Sequence, residues 1–102
     1  MKTTEMIKHI VSFKITNNAN KKENTLLLKD KLDNLKNKIP ELLYLETGIN
    51  ISDRPAAFDL LLVTHFNSPE DLEAYRIHPL HQELVGFLNQ IKEDIVVVDY
   101  EI

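Results

Sequence analysis

Hydrophobic residues recur with two different spacings along this chain, and the order of the spacings restricts the folds open to it. Apolar and polar side chains alternate from Met6 to Ile15 and from Leu43 to Ile51, which is typical of strands. Residues 21–39 instead carry an apolar stripe at helical spacing, and Pro40 ends the predicted helix. The stripe consists of Leu28, Leu32, Leu35 and Ile39.

The second half of the chain repeats the strand and helix signals in the same order. Residues 58–66 and 95–100 are predicted strands whose centres are continuously apolar. Between them, residues 68–71 (SPED) are typical of a helix start, with a capping serine, a proline in the first turn and acids at the positive end of the helix dipole. Pro79 is expected to divide this helix into two pieces.

The resulting order, β-α-β-β-α-β, predicts an α+β ferredoxin-like fold with four antiparallel strands and the helices on one face. The other sheet face would be wet in a monomer, and strands three and four should then alternate, which they do not. Because the chain has no spare element to cover that face, we expect a homodimer whose sheets meet face to face. The alternative is that the helices overhang the sheet enough to cover it.

Composition limits the classes of function. The 102 residues suit one domain, the formal net charge of −4 disfavours nucleic acid as a partner, and the absence of cysteine excludes disulfides and thiol chemistry. No signal peptide or membrane span of about 20 apolar residues is visible, so we expect no membrane association and a cytoplasmic protein. With no glycine-rich phosphate loop either, no cofactor is expected.

Tyr75 and His81 are the candidate catalytic residues. Histidine can take a proton from an activated carbon and return it, and a tyrosine hydroxyl can stabilise a carbonyl oxygen that gains charge. On an unbroken helix the two would lie roughly 240° apart, but a break at Pro79 allows both to face one cavity. The alternative is structural, with the Tyr75 hydroxyl at the surface and His81 capping the second helical piece.

Other histidines are weaker candidates. His9 shares an apolar strand face with Val11, so it is either a hydrogen-bonded core residue or part of a pocket. His78 is expected near a helix start, and His65 on the dimer side of the sheet. His78 and His81 have the spacing of a metal-binding pair, but Pro79 disturbs the helical geometry between them, and we predict no metal site.

Several segments resemble the stress-responsive A/B barrel (Dabb) family of dimeric α+β barrels. They are residues 7–14, 39–42, 46–48, 58–60, 66–75, 78–81 and 98–100, and the most specific is the tyrosine followed by His-Pro-x-His at Tyr75 and 78–81. The resemblance covers Met6 to Tyr100, which makes Met1 to Glu5 a short N-terminal extension. It implies the fold and the dimer, and a stress-response protein of unassigned activity.

A plant branch of this family is a polyketide cyclase that catalyses an aldol-type ring closure, and its motif tyrosine and final histidine match Tyr75 and His81. The resemblance therefore implies a pocket between sheet and helices, and we include His9, Val11, Leu28 and His78 as ligand contacts. Leu27 and Leu28 stand where that branch has aromatic residues, so the substrate is not carried over. Three functions stay open: binding of a small apolar or carbonyl compound, a cofactor-free lyase or cyclase, and a non-catalytic dimer. A cavity of about 300 Å³ or more is expected for the first two.

Overall fold

The computed structural model describes residues 6–102, and Met1–Glu5, the expected extension, lie outside the described residues. Its elements are β1 (Ile7–Ile15), α1 (Lys21–Asp33), β2 (Tyr44–Ile49), β3 (Leu60–Phe66), α2 (Pro69–Ile77), α3 (Pro79–Ile91) and β4 (Lys92–Glu101). The four strands form one antiparallel sheet in the order β2-β3-β1-β4. This confirms the predicted α+β ferredoxin-like fold, with its second helix divided into α2 and α3.

The first helix is shorter than predicted. It ends at Asp33 rather than Ile39, and a series of tight turns follows, in which the Leu35 amide bonds to the Leu32 carbonyl and the Lys38 amide to the Leu35 carbonyl. Asn37 adopts a left-handed backbone with φ of 64°, which interrupts any helix. Leu35 and Ile39 are buried nevertheless. The apolar stripe therefore predicted the buried residues correctly, but the helix predicted from it was too long.

Three strand boundaries differ from the prediction by two residues or more. β2 and β3 were expected over 43–51 and 58–66, but their pairing ends at Ile49 and Leu60. Beyond that point the loop makes local bonds of its own, such as the one from the Asn50 side-chain amide to the Ser52 carbonyl (2.7 Å). β4 begins at Lys92, directly after α3, rather than at residue 95, because the backbone of Lys92 is already extended.

The helices cover one face of the sheet and enclose the hydrophobic core. Alternate residues of β1 and β3 face the helices, and their apolar members pack against buried leucines of α1 and α3. Burial in β3 alternates although its sequence is continuously apolar, since Leu60 and Leu62 are buried and Leu61 is 41% exposed. No helix within residues 6–102 is long and apolar enough to span a membrane.

The opposite face of the sheet, here called the open face, carries aliphatic side chains at its centre. The register places Ile10, Val63 and Val98 in one row across three strands, and Leu61 and Val96 in the next row, on either side of Ser12. Val96 and Val98 are 48% and 54% exposed, and both lie on β4, an edge strand of the sheet. Exposed aliphatic side chains grouped in this way are unusual for a monomer.

Candidate functional site

The junction between α2 and α3 sets the geometry of the site. His78 has an extended backbone (ψ 137°), as expected for a residue before proline, and it ends α2. Its Nδ1 accepts a hydrogen bond from the Leu80 amide (3.1 Å), so His78 caps α3. The turn brings the rings of Tyr75 and His81 together, with centroids 4.5 Å apart. The alternative in which His81 caps α3 is therefore wrong, because His78 fills that position.

Tyr75 and His81 line one cavity between the sheet and the helices, together with His9. Its volume is about 120 Å³, smaller than the expected 300 Å³ because leucine side chains fill the helix side. The sheet contributes Val11, Phe13, Leu62, Ile95 and Val97, and the helices contribute Leu32, Leu84, Val85 and Leu88. Of these, Val97 is 47% exposed and Val85 and Ile95 are partly exposed, so the cavity opens between α3 and β4.

The Tyr75 hydroxyl is the unusual group in this cavity. The side chain is fully buried, packed against the rings of Phe66 and His81, and the hydroxyl oxygen has no hydrogen-bond partner among residues 6–102. The alternative that placed this hydroxyl at the surface is therefore wrong. Desolvation by burial raises the pKa of Tyr75, so the group stays protonated at neutral pH and can donate. A buried donor without an acceptor is costly, which points to an acceptor from outside the chain.

His81 is positioned by the end of α2. Its Nδ1 lies 3.0 Å from the Arg76 carbonyl oxygen, and because a carbonyl only accepts, Nδ1 carries the proton and donates. Nε2 of the neutral ring then carries the acceptor lone pair. Desolvation by burial lowers the pKa of His81, although the hydrogen bond to Arg76 acts in the opposite direction. His81 is therefore neutral at physiological pH and able to accept a proton.

His9 is paired with a carboxylate that sequence reasoning did not single out. Its Nδ1 hydrogen-bonds Oδ1 of Asp99, the residue directly opposite it on β4. The carboxylate can only accept, so Nδ1 carries a proton and donates it to Asp99. The His9 and Tyr75 ring centroids lie 6.4 Å apart. His9 is thus both a hydrogen-bonded core residue and a lining residue, and Asp99 fixes its tautomer and orientation.

Of the other predicted ligand contacts, some line the cavity and some do not. Val11 lines the cavity, whereas Leu28 and His78 are not among its lining residues. Leu28 is a fully buried core residue, and the His78 ring is occupied as a helix cap. His65 lies on the open face, as predicted, because it pairs with Lys8 and Tyr44 there. In the part of the chain described, no three His, Cys, Asp or Glu side chains cluster as metal ligands would.

Comparisons with known proteins agree with this description. An uncharacterized protein of Streptomyces coelicolor is 32% identical over 94% of this chain and 99% of its own length. Two Arabidopsis thaliana proteins containing a stress-response A/B barrel domain are 28% and 30% identical, and the chain spans 47% and 37% of their lengths.

Solved structures give the same class. A dimeric protein of unknown function with a ferredoxin-like fold from Bacteroides fragilis superposes with a TM-score of 0.82, at 30% identity over 95% of this chain and 96% of that one. A hydroxynitrile lyase from Passiflora edulis has the same fold, with a TM-score of 0.84 at 24% identity over 98% and 95% of the two chains.

Fold and cavity together define a ferredoxin-like α+β protein with a half-enclosed cavity between its helices and sheet. The model of the Stress responsive A/B Barrel Domain family matches residues 7–102, and the chain belongs to that family. The resemblance drawn from the sequence motifs is thereby confirmed.

The unpaired state of the Tyr75 hydroxyl can be tested by stability measurements. Tyr75→Phe removes a buried group without a partner, so the free energy of unfolding should stay unchanged or rise by about 1 kcal/mol. The matched control is Thr64→Val, which removes a buried hydroxyl that donates to the His9 carbonyl (3.1 Å) and should cost about 1 kcal/mol. Urea unfolding followed by circular dichroism measures both. Equal losses in the two variants would mean that the Tyr75 hydroxyl has a partner in the folded chain.

Proposed function

We propose that the cavity binds a small uncharged molecule through an oxygen that accepts the Tyr75 hydrogen bond. The observation that carries the proposal is the buried, unpartnered Tyr75 hydroxyl in a lining that is otherwise apolar except for His9 and His81. A ligand carbonyl would satisfy this donor, and the aliphatic walls would take up the hydrocarbon around it.

The volume of the cavity and the charges around it restrict the ligands that can bind. An apolar cavity of roughly 150 Å³ can hold benzene, so a cavity of about 120 Å³ suits a group of about five non-hydrogen atoms, with any remainder leaving through the opening beside Val97. None of the lining residues is Lys or Arg, and Asp99 places a carboxylate behind His9. An anionic ligand would therefore lose its hydration without a compensating cation, so the ligand should be neutral.

Cyclopentanone is a suitable probe, with cyclopentane as the hydrocarbon that lacks the acceptor. We expect weak, saturable binding of the ketone, with NMR shifts at Tyr75, His81 and Val97, and an affinity that falls about tenfold in Tyr75→Phe because one buried hydrogen bond is lost. Tyr44→Phe, at an exposed tyrosine on the open face, should bind as the parent does. Equal affinity of the parent for the two probes would refute the role of Tyr75.

A second candidate function is cofactor-free lyase or aldol-type chemistry in the same cavity. It is favoured by the convergence of a neutral His81, whose Nε2 carries the acceptor lone pair, with the Tyr75 donor and the His9–Asp99 pair. One structural neighbour is described as a hydroxynitrile lyase, which makes cleavage of a carbon–carbon bond the first reaction to examine.

The residues suffice for a balanced retro-aldol reaction on a β-hydroxy ketone. His81 Nε2 takes the hydroxyl proton, and the carbon–carbon bond breaks to give one carbonyl product and an enolate. Tyr75 donates to the enolate oxygen as it gains charge, and His81 returns the proton to the enolate carbon. The reverse reaction within one molecule is an aldol ring closure. His9, held by Asp99, places a second imidazole ring 6.4 Å from the Tyr75 ring.

Release of formaldehyde from 4-hydroxybutan-2-one tests this chemistry. If the proposal holds, the parent accelerates the cleavage and His81→Ala loses at least about a hundredfold of that rate, since positioned acid–base catalysis contributes about 10²–10⁴. His65→Gln, on the opposite face of the sheet, serves as the matched histidine control. Cleavage at the parent rate in His81→Ala would eliminate the assigned role, and no cleavage by the parent while cyclopentanone still binds would reduce the function to binding.

We also propose that the chain forms a homodimer through its open face. Exposed Leu61, Val96 and Val98 form the centre of this surface, and the solved neighbour from Bacteroides fragilis is dimeric. Burying these side chains against a second copy removes apolar area from water, and a twofold arrangement allows the same surface to serve both protomers. If the cavity proves inert, this dimer becomes the alternative function.

Light scattering after size-exclusion chromatography measures the dimer directly. Val98→Lys places a charge at the centre of the surface, on a side chain that is already half exposed within its own protomer, so it should give a folded monomer. Ile77→Lys is the matched control, because Ile77 is 64% exposed at the end of α2 on the helical side. A monomeric parent, or a Val98→Lys variant that remains dimeric, would contradict the proposed interface.

A further inference from the structure

Four side chains form a row across the open face at one end of the sheet. The strand register places Tyr44 of β2 beside His65 of β3, His65 beside Lys8 of β1, and Lys8 beside Tyr100 of β4. The row adjoins the apolar centre, since Val63 and Ile10 pair one position further along on the same face. A partner that covers the centre of the open face therefore comes against this row as well.

His65 stands in a setting that disfavours a positive charge. Its ring packs on that of Tyr44, with centroids 4.6 Å apart, and its Nε2 is buried without a hydrogen-bond partner among the described residues. Lys8, directly opposite on β1, is a cation whose ammonium group lies 5.7 Å from the centre of the Tyr100 ring. Like charges on directly opposed strand residues repel each other.

The other ionisable groups on this side do not offset that repulsion. On β2 they are Tyr44 and Glu46, and the Tyr44 hydroxyl donates to the Glu46 carboxylate (3.1 Å). Glu46 pairs with Val63 in the next row rather than with His65. On β4 Tyr100 lies beyond Lys8. A protonated His65 would therefore have a cation as its direct neighbour and its buried Nε2–H unpaired.

We propose that dimerisation through the open face is proton-linked, with His65 neutral in the dimer and His65 protonation favouring separated protomers. The inference rests on the proposed dimer and is independent of the cavity on the other face of the sheet. A second sheet laid on this row removes water that would otherwise solvate an imidazolium.

The direction of the effect follows from the charge states. Desolvation, and secondly the charge of Lys8, already lower the pKa of His65 in the single protomer, and closer covering lowers it further. A lower pKa in the associated state means that the dimer is strongest well above that pKa and weakens as pH falls. Net charge acts the other way, because the chain approaches its pI of about 5.5 and self-repulsion decreases. If association weakens at low pH, the cause must therefore be protonation of a particular group and not the change in net charge.

Sedimentation equilibrium of the full chain at constant ionic strength, between pH 8.0 and pH 5.5, measures the dissociation constant of the dimer. We expect it to rise about tenfold to a hundredfold over this range, because each dimer carries two copies of His65. His65→Gln should give a dimer whose dissociation constant changes less than about threefold. His78→Gln, which alters a histidine on the helical side, should keep the parent's dependence on pH.

Each outcome has a definite meaning. A parent dimer with a constant affinity, or a His65→Gln dimer that still dissociates in acid, would overturn the proton linkage and leave the dimer proposal intact. A parent protein that is monomeric at every pH would contradict both the proton linkage and the proposed dimer. If His65→Gln does not fold, NMR titration of the His65 ring replaces it, and an identical titration midpoint in the parent dimer and in monomeric Val98→Lys would equally overturn the linkage.

Discussion

The site depends on one backbone constraint, the extended conformation that Pro79 imposes on His78. Proline excludes the preceding residue from helical geometry, so the chain changes direction between α2 and α3 instead of continuing as one helix. The His78 side chain then caps α3, and the carbonyl oxygen of Arg76, freed at the end of α2, becomes the acceptor for His81. The helix break at Pro79 thus leaves backbone groups that the side chains of His78 and His81 bond, and it brings the His81 ring against Tyr75.

Because side chains alternate along each strand, the sheet has one face that lines the cavity and another that forms the open face. In β1, His9 and Val11 face the cavity while Lys8 and Ile10 face the open side, and β4 continues both sets through its pairing with β1. β4 is exposed along nearly its whole length, yet it supplies Asp99 to His9 on one face and Val98 to the apolar surface on the other. A partner that covers the open face would therefore also hold the strand that positions Asp99.

Local patterns predicted the elements well because strand and helix periodicity, proline breaks and caps are encoded within a few residues. The end of α1 was missed because Leu35 and Ile39 stay buried in tight turns as they would in a helix. The site was only half predictable. Tyr75 and His81 lie close in sequence, but the His9–Asp99 pair joins opposite ends of the chain, and nothing short of the β1–β4 register shows it. Cavity volume likewise depends on how the leucines pack.

A high-resolution crystal structure of the protein grown with a small ketone would show whether Tyr75 keeps a buried donor free for a ligand. We predict density for the ketone in the cavity, with its oxygen about 2.7 Å from the Tyr75 hydroxyl, the usual distance for such a bond. A cavity closed by side chains, with the Tyr75 hydroxyl donating to a protein carbonyl and no room beside His81, would contradict this prediction.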